Sequence, residues 1–96
     1  MHDKFNTPTE ERLAKIWAEV IGLNEVDRNE DFFDIGGDSL LATKVVLRAR
    51  REWNIKFTVR LLIDAPVLSD LAVCVDRLVA ESSENRAADT GSAIAV

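Results

Sequence analysis

The stretch Asp31-Phe32-Phe33-Asp34-Ile35-Gly36-Gly37-Asp38-Ser39-Leu40 holds the residues best suited to chemistry. Two aromatics lead into a Gly-Gly pair, and one serine follows where a helix is predicted to begin. Gly36 and Gly37 allow φ > 0 and let another molecule approach the backbone closely. Asp38 is a favoured N-cap residue, which puts Ser39 at the first helical position with its hydroxyl outward. A helix N-terminus carries roughly half a positive charge and several unpaired N–H groups, a setting that suits a phosphate. Ser39 is therefore presented for phosphodiester modification, not prepared to attack a substrate.

An attacking serine or cysteine needs a fixed base within hydrogen-bond reach. His2 is the one histidine, at a terminus prone to fray, and Cys74 reads as a structural thiol on the flank of a helix. No His/Cys cluster has metal-ligand spacing. Asp31, Asp34 and Asp38 surround the serine but read as a solvated loop with one cap rather than a cation site. The chain is not expected to be an enzyme.

Thr7-Pro8-Thr9-Glu10 is a capping box with proline at the first helical position. Behind it Leu13, Ile16, Trp17 and Val20 recur at helical spacing, and Gly22 is the natural stop. Residues 23–38 form a long loop, which in so small a domain usually signals function, with Phe32 and Phe33 expected to pin it to the core. The next helix should run from about Ser39 to Trp53. At 100° per residue, Ala42, Val45, Val46, Ala49 and Trp53 share the buried arc. Leu40 and Leu47 point away from it beside Lys44 and Arg51, with Leu41 on the flank. Thr58 caps a short helix over Val59–Ile63, and Asp64-Ala65-Pro66 ends it. Leu68, Leu71, Ala72, Val75, Leu78 and Val79 mark a last helix to about Ser82. Residues 83–96 are small, polar and without period, and are expected to form a disordered tail. Residues 7–82 are thus the domain, after an N-terminal extension of residues 1–6. The fold class is all-α, a bundle of three long helices and one short one.

Ninety-six residues allow one small helical core but no deep substrate cleft. No apolar run is long enough to span a bilayer. One cysteine excludes an internal disulfide and fits a reducing cytoplasm. The net charge of −5 argues against a general affinity for nucleic acid. That charge is uneven: residues 1–37 hold four basic and nine acidic side chains, whereas 38–52 hold four basic and two acidic. Two readings of the basic helix stay open. Arg48, Arg50 and Arg51 complement the helix dipole, or the cations steer a partner.

The stretch Val26–Ala42 resembles the attachment motif of peptidyl carrier proteins, the thiolation domains of non-ribosomal peptide synthetases. The run F-F-x-x-G-G-[HD]-S-L is met at Phe32, Phe33, Gly36, Gly37, Asp38, Ser39 and Leu40. Similarity in helix order and spacing extends over residues 7–82. The resemblance implies an acyl-carrier-protein-like bundle with 4′-phosphopantetheine, taken from coenzyme A, on Ser39. The arm's thiol would hold an aminoacyl or peptidyl group as a thioester. Implied partners are a phosphopantetheinyl transferase, an adenylation enzyme and a condensation or tailoring enzyme. The resemblance also makes the second helix the recognition surface, with Leu40, Leu41, Lys44, Leu47 and Arg48 as docking residues. A cytoplasmic monomer is expected, free-standing because the first helix begins soon after Met1.

In this family a threonine commonly follows the proline and caps the last helix. Val67 stands there instead and offers no acceptor, so Ser69 is the candidate cap and the helix is expected to start late. One alternative is an acyl or D-alanyl carrier of another thioester pathway; another is an unmodified helical interaction module.

Overall fold

The computed structural model describes residues 5–95, with side chains for 5–82. Its four helices are α1 (Pro8–Ile21), α2 (Ser39–Trp53), α3 (Val59–Asp64) and α4 (Leu68–Ala95). The architecture is the all-α bundle that the helix periods predict. Ion pairs Arg12–Glu52 and Glu19–Arg48 show that α1 and α2 run antiparallel.

Each of the first three helices begins on a side-chain cap. Thr7 accepts from the Glu10 N–H, Asp38 from the Leu41 N–H and Thr58 from the Leu61 N–H. Gly22 ends α1 at φ 94°, donating its N–H to the Ala18 carbonyl. Asn54 ends α2 in the same left-handed region at φ 54°, a conformation asparagine tolerates better than most residues. The Arg50 guanidinium reaches forward to the Phe57 carbonyl at 2.7 Å and ties the connector to α2. Arg50 is therefore engaged in holding the chain path as well as lying in the last turn.

The core is built from one face of each element. Leu13, Ile16 and Trp17 of α1 meet Ala42, Val45, Val46 and Ala49 of α2, and Leu68, Leu71, Ala72 and Val75 of α4. Val26 and Phe32 from the loop, Ile55 and Phe57 from the connector, and Leu62 of α3 join it. Val20 and Trp53 are half-buried and pack on its edge.

The last helix departs from expectation at both ends. It starts at Leu68, not late behind a Ser69 cap, because the long loop supplies the acceptors that Val67 lacks. The Glu30 carbonyl accepts the Leu68 N–H at 3.0 Å, and the Arg28 carbonyl accepts the Ser69 N–H at 3.0 Å. An isolated antiparallel bridge between Asp31 and Val67 fixes this register. Its helical backbone runs past Ser82 to Ala95, through most of the segment expected as a tail. No proline lies in that stretch to interrupt it. Among the described residues, no helix is long and apolar enough to cross a membrane.

Candidate functional site

The loop between α1 and α2 positions the serine, and besides its bonds to the start of α4 it is stitched down at three places. Near its start, the buried Glu10 carboxylate accepts both Arg28 Nε and Nη2 at 2.9 Å. Glu10 also accepts the Asn6 N–H at 2.8 Å, so the expected box reaches one residue further back than Thr7. The hydrogen bond from Arg28 holds the Glu10 carboxyl below its usual range against the opposing effect of burial. In the middle, the Phe32 N–H donates to the Pro66 carbonyl at 2.8 Å, beside the bridge to Val67.

The third place is Phe32 itself. Its ring is fully buried and meets Trp17 edge-on, centroids 5.1 Å apart. The Gly37 N–H returns to the Phe32 carbonyl at 2.9 Å. A Cβ on Gly37 would lie 2.3 Å from the Phe32 ring, so only glycine lets the chain pass there. Gly36 serves a different need: its φ is 115°, a backbone region that side chains disfavour. The glycine pair therefore accommodates the protein's own aromatic ring and turn, whereas the sequence suggested room for another molecule. Phe33 is a second correction. It is 39% exposed and rests edge-on against Phe32 at 5.3 Å rather than pinning the loop.

This scaffold delivers Asp38 and Ser39. Asp38 Oδ1 accepts the Leu41 N–H at 2.9 Å, and its carbonyl accepts the Ala42 N–H at 2.7 Å. Ser39 is exposed as the first residue of α2, and its hydroxyl bonds to no described residue. The Ser39 and Leu40 N–H groups likewise have no partner among the described residues, so a helix-end donor pair faces solvent beside the hydroxyl. Asp31 accepts the Phe33 and Asp34 N–H groups at 2.9 and 3.2 Å, a turn-forming role in the loop. Among the described residues no cluster could hold a metal ion.

On the outer face of α2, Leu40 is 67% and Leu47 58% exposed, in line with the helical phase. Lys44 is exposed beside them, and Leu41 packs half-buried against the core edge. Arg48 is exposed but paired with Glu19 on α1, which offsets one of the four cations on this helix. Lys44, Leu47, Arg48 and Arg51 line a surface groove of about 390 Å³ with Glu19 and Val20. The exposure of Ile63 in α3 is not legible in the sequence, because a single short turn shows no periodic face. The Glu10–Arg28 contact is equally hidden, with Glu10's place in the capping box its one signal.

Residues 11–75 match the family described as the phosphopantetheine attachment site. The chain belongs to that family. Such domains are carriers rather than catalysts, and the prosthetic group they bear is phosphopantetheine. The carrier is 45% identical over 69 residues to phosphinothricin tripeptide synthetase of Streptomyces viridochromogenes, spanning 72% of this chain and 6% of the synthetase. It is 37% identical over 82 residues to gramicidin S synthase 2 of Brevibacillus brevis, spanning 82% of this chain and 2% of that protein. The chain thus corresponds to a small part of each of these relatives. In solved structures, it is similar to the peptidyl carrier protein bound to the transferase Sfp with coenzyme A. That similarity has a TM-score of 0.73 and 30% identity, covering 76% of this chain and 95% of the other.

The residues present fit the group. A phosphate on Ser39 would meet free N–H donors at a helix start, and the exposed hydroxyl would leave such an arm open to solvent.

Proposed function

We propose that Ser39 carries the phosphopantetheine and that residues 7–82 act as a peptidyl carrier domain. The observation that supports this best is the exposed Ser39 hydroxyl, unengaged within the domain, beside two unpaired helix N–H groups. In the loading step Ser39 Oγ forms a bond to the phosphorus of the phosphopantetheine half of coenzyme A. The pyrophosphate linkage breaks, adenosine bisphosphate leaves, and the hydroxyl proton passes to a base on the transferase. Once attached, the group supplies a thiol that holds acyl cargo as a thioester. The chain's own part is to present the serine and to dock its partners.

The names of the relatives favour an aminoacyl or peptidyl cargo, with an adenylation enzyme loading it and a condensation or tailoring enzyme receiving it. Leu40, Leu47 and Lys44 are the proposed docking residues, with Leu41 shaping the edge and Arg48 contributing despite its pairing to Glu19. The domain acts as a monomer, and its single cysteine suits a reducing cytoplasm. Tethering raises the cargo's effective concentration at each partner.

Incubation with coenzyme A and a broad-specificity transferase tests the reading. The intact mass should rise by one phosphopantetheine, whereas an unmodified interaction module would gain nothing. A panel of adenylation enzymes offered to the loaded protein then separates an aminoacyl carrier from an acyl carrier of another pathway.

A further inference from the structure

Glu10 is the one charged side chain buried among the described residues, 3% exposed, and Arg28 meets it with two hydrogen bonds of 2.9 Å. Starting α1 does not require this, because the Thr7 hydroxyl already caps the helix. What the contact does is fix the loop at residue 28. From there little slack remains before the serine. The Arg28 and Glu30 carbonyls take the first two N–H groups of α4, and the Phe32 N–H returns to Pro66. The Phe32 ring and carbonyl then hold Gly37, two residues before Ser39.

We propose that Glu10 and Arg28 are a positioning pair for the modification of Ser39. Their two-point contact on the far side of the loop sets the path that presents the serine hydroxyl to the transferase in one geometry. The inference rests on Ser39 being the attachment point. It assigns no contact between the pair and coenzyme A. A small misplacement of a reacting group is costly in rate, and a bidentate contact constrains orientation where a single one does not.

The test compares Glu10→Gln and Arg28→Lys with Val75→Ala, a core truncation in α4 with no part in the loop. All are full-length chains, assayed for uptake of phosphopantetheine at a temperature where each is folded. Glu10→Gln should lower kcat by about tenfold with KM for the carrier changed less than about twofold, because the outer face of α2 is untouched. Arg28→Lys keeps the charge, loses the fork and should lower kcat by about threefold. In both, amide exchange at Gly37 should speed up relative to Val75→Ala at matched overall stability. Val75→Ala should load as the wild type does. Equal kcat in all three variants, or unchanged Gly37 exchange in the pair variants, overturns the positioning role while leaving the attachment point intact. Wild-type protein that takes up no phosphopantetheine would instead remove the reading on which the inference rests.

Discussion

The starts of α2 and α4 face the same physical problem, N–H groups with no partner inside the helix, and meet it differently. At α2 the Asp38 side chain satisfies Leu41, while the N–H groups of Ser39 and Leu40 have no described partner. At α4 no side-chain cap is used, and the carbonyls of Glu30 and Arg28 occupy the corresponding donors of Leu68 and Ser69. One helix start is open and bears the serine; the other is closed and belongs to the scaffold. The same loop makes both, closing α4 with its middle and leading into α2 with its end. A change in the loop should therefore be felt at both helix starts, and a change in the Asp38 cap at one.

Phe32→Ala should break this arrangement most strongly. It removes a fully buried ring packed on Trp17, and such truncations cost about 3–5 kcal/mol. Amide exchange at Leu68 and Ser69 should accelerate together with that at Gly37, and protection confined to α4 would show that the loop does not join the two starts. Asp38→Ala is the smaller, local counterpart. Loss of the cap should cost about 1 kcal/mol in chemical denaturation, with exchange at Leu68 and Ser69 following only the global change.

Acid should weaken the closed side. The Arg28 hydrogen bond keeps the Glu10 carboxyl below its ordinary value of 4.5. Stability from this contact is present above that ordinary, unfolded value and is lost as pH falls through the lower folded value. Thermal melts at descending pH should show the wild type losing its advantage over Glu10→Gln in that acidic window. A constant gap between the two proteins would contradict the assignment.

The smallest effect on stability is expected on the outer face of α2. Leu47→Ala should change stability by less than about 0.5 kcal/mol, since the side chain is 58% exposed. Adenylation-dependent loading should nevertheless slow. Val46→Ala on the inner face, 5% exposed, should instead cost roughly 1–3 kcal/mol. Matching melts for the two variants would mean that the helix faces are not distinct.

What could be read from the chain alone follows from the range of the interactions. The caps Thr7, Asp38 and Thr58 each act within one turn, so local spacing reveals them. The phase of α2 was equally legible, because Ala42, Val45, Val46 and Ala49 repeat at the helical period and are all buried. The serine stood out through its motif. The start of α4 was hidden, because its acceptors come from the distant residues Arg28 and Glu30. Glu10 and Arg28 lie 18 positions apart, and no periodicity links a capping residue to a loop arginine. The two glycines were recognised, but their separate duties depend on where the Phe32 ring sits.

Exposure to coenzyme A and a broad-specificity transferase of the wild type and Ser39→Ala side by side, read by intact mass and thermal melt, tests the central claim most directly. The wild type should gain a single phosphopantetheine and Ser39→Ala none. Their stabilities should agree within about 0.5 kcal/mol, because the hydroxyl is exposed and bonds to no described residue. Uptake of the group by Ser39→Ala, or a large loss of stability in that variant, would contradict the account.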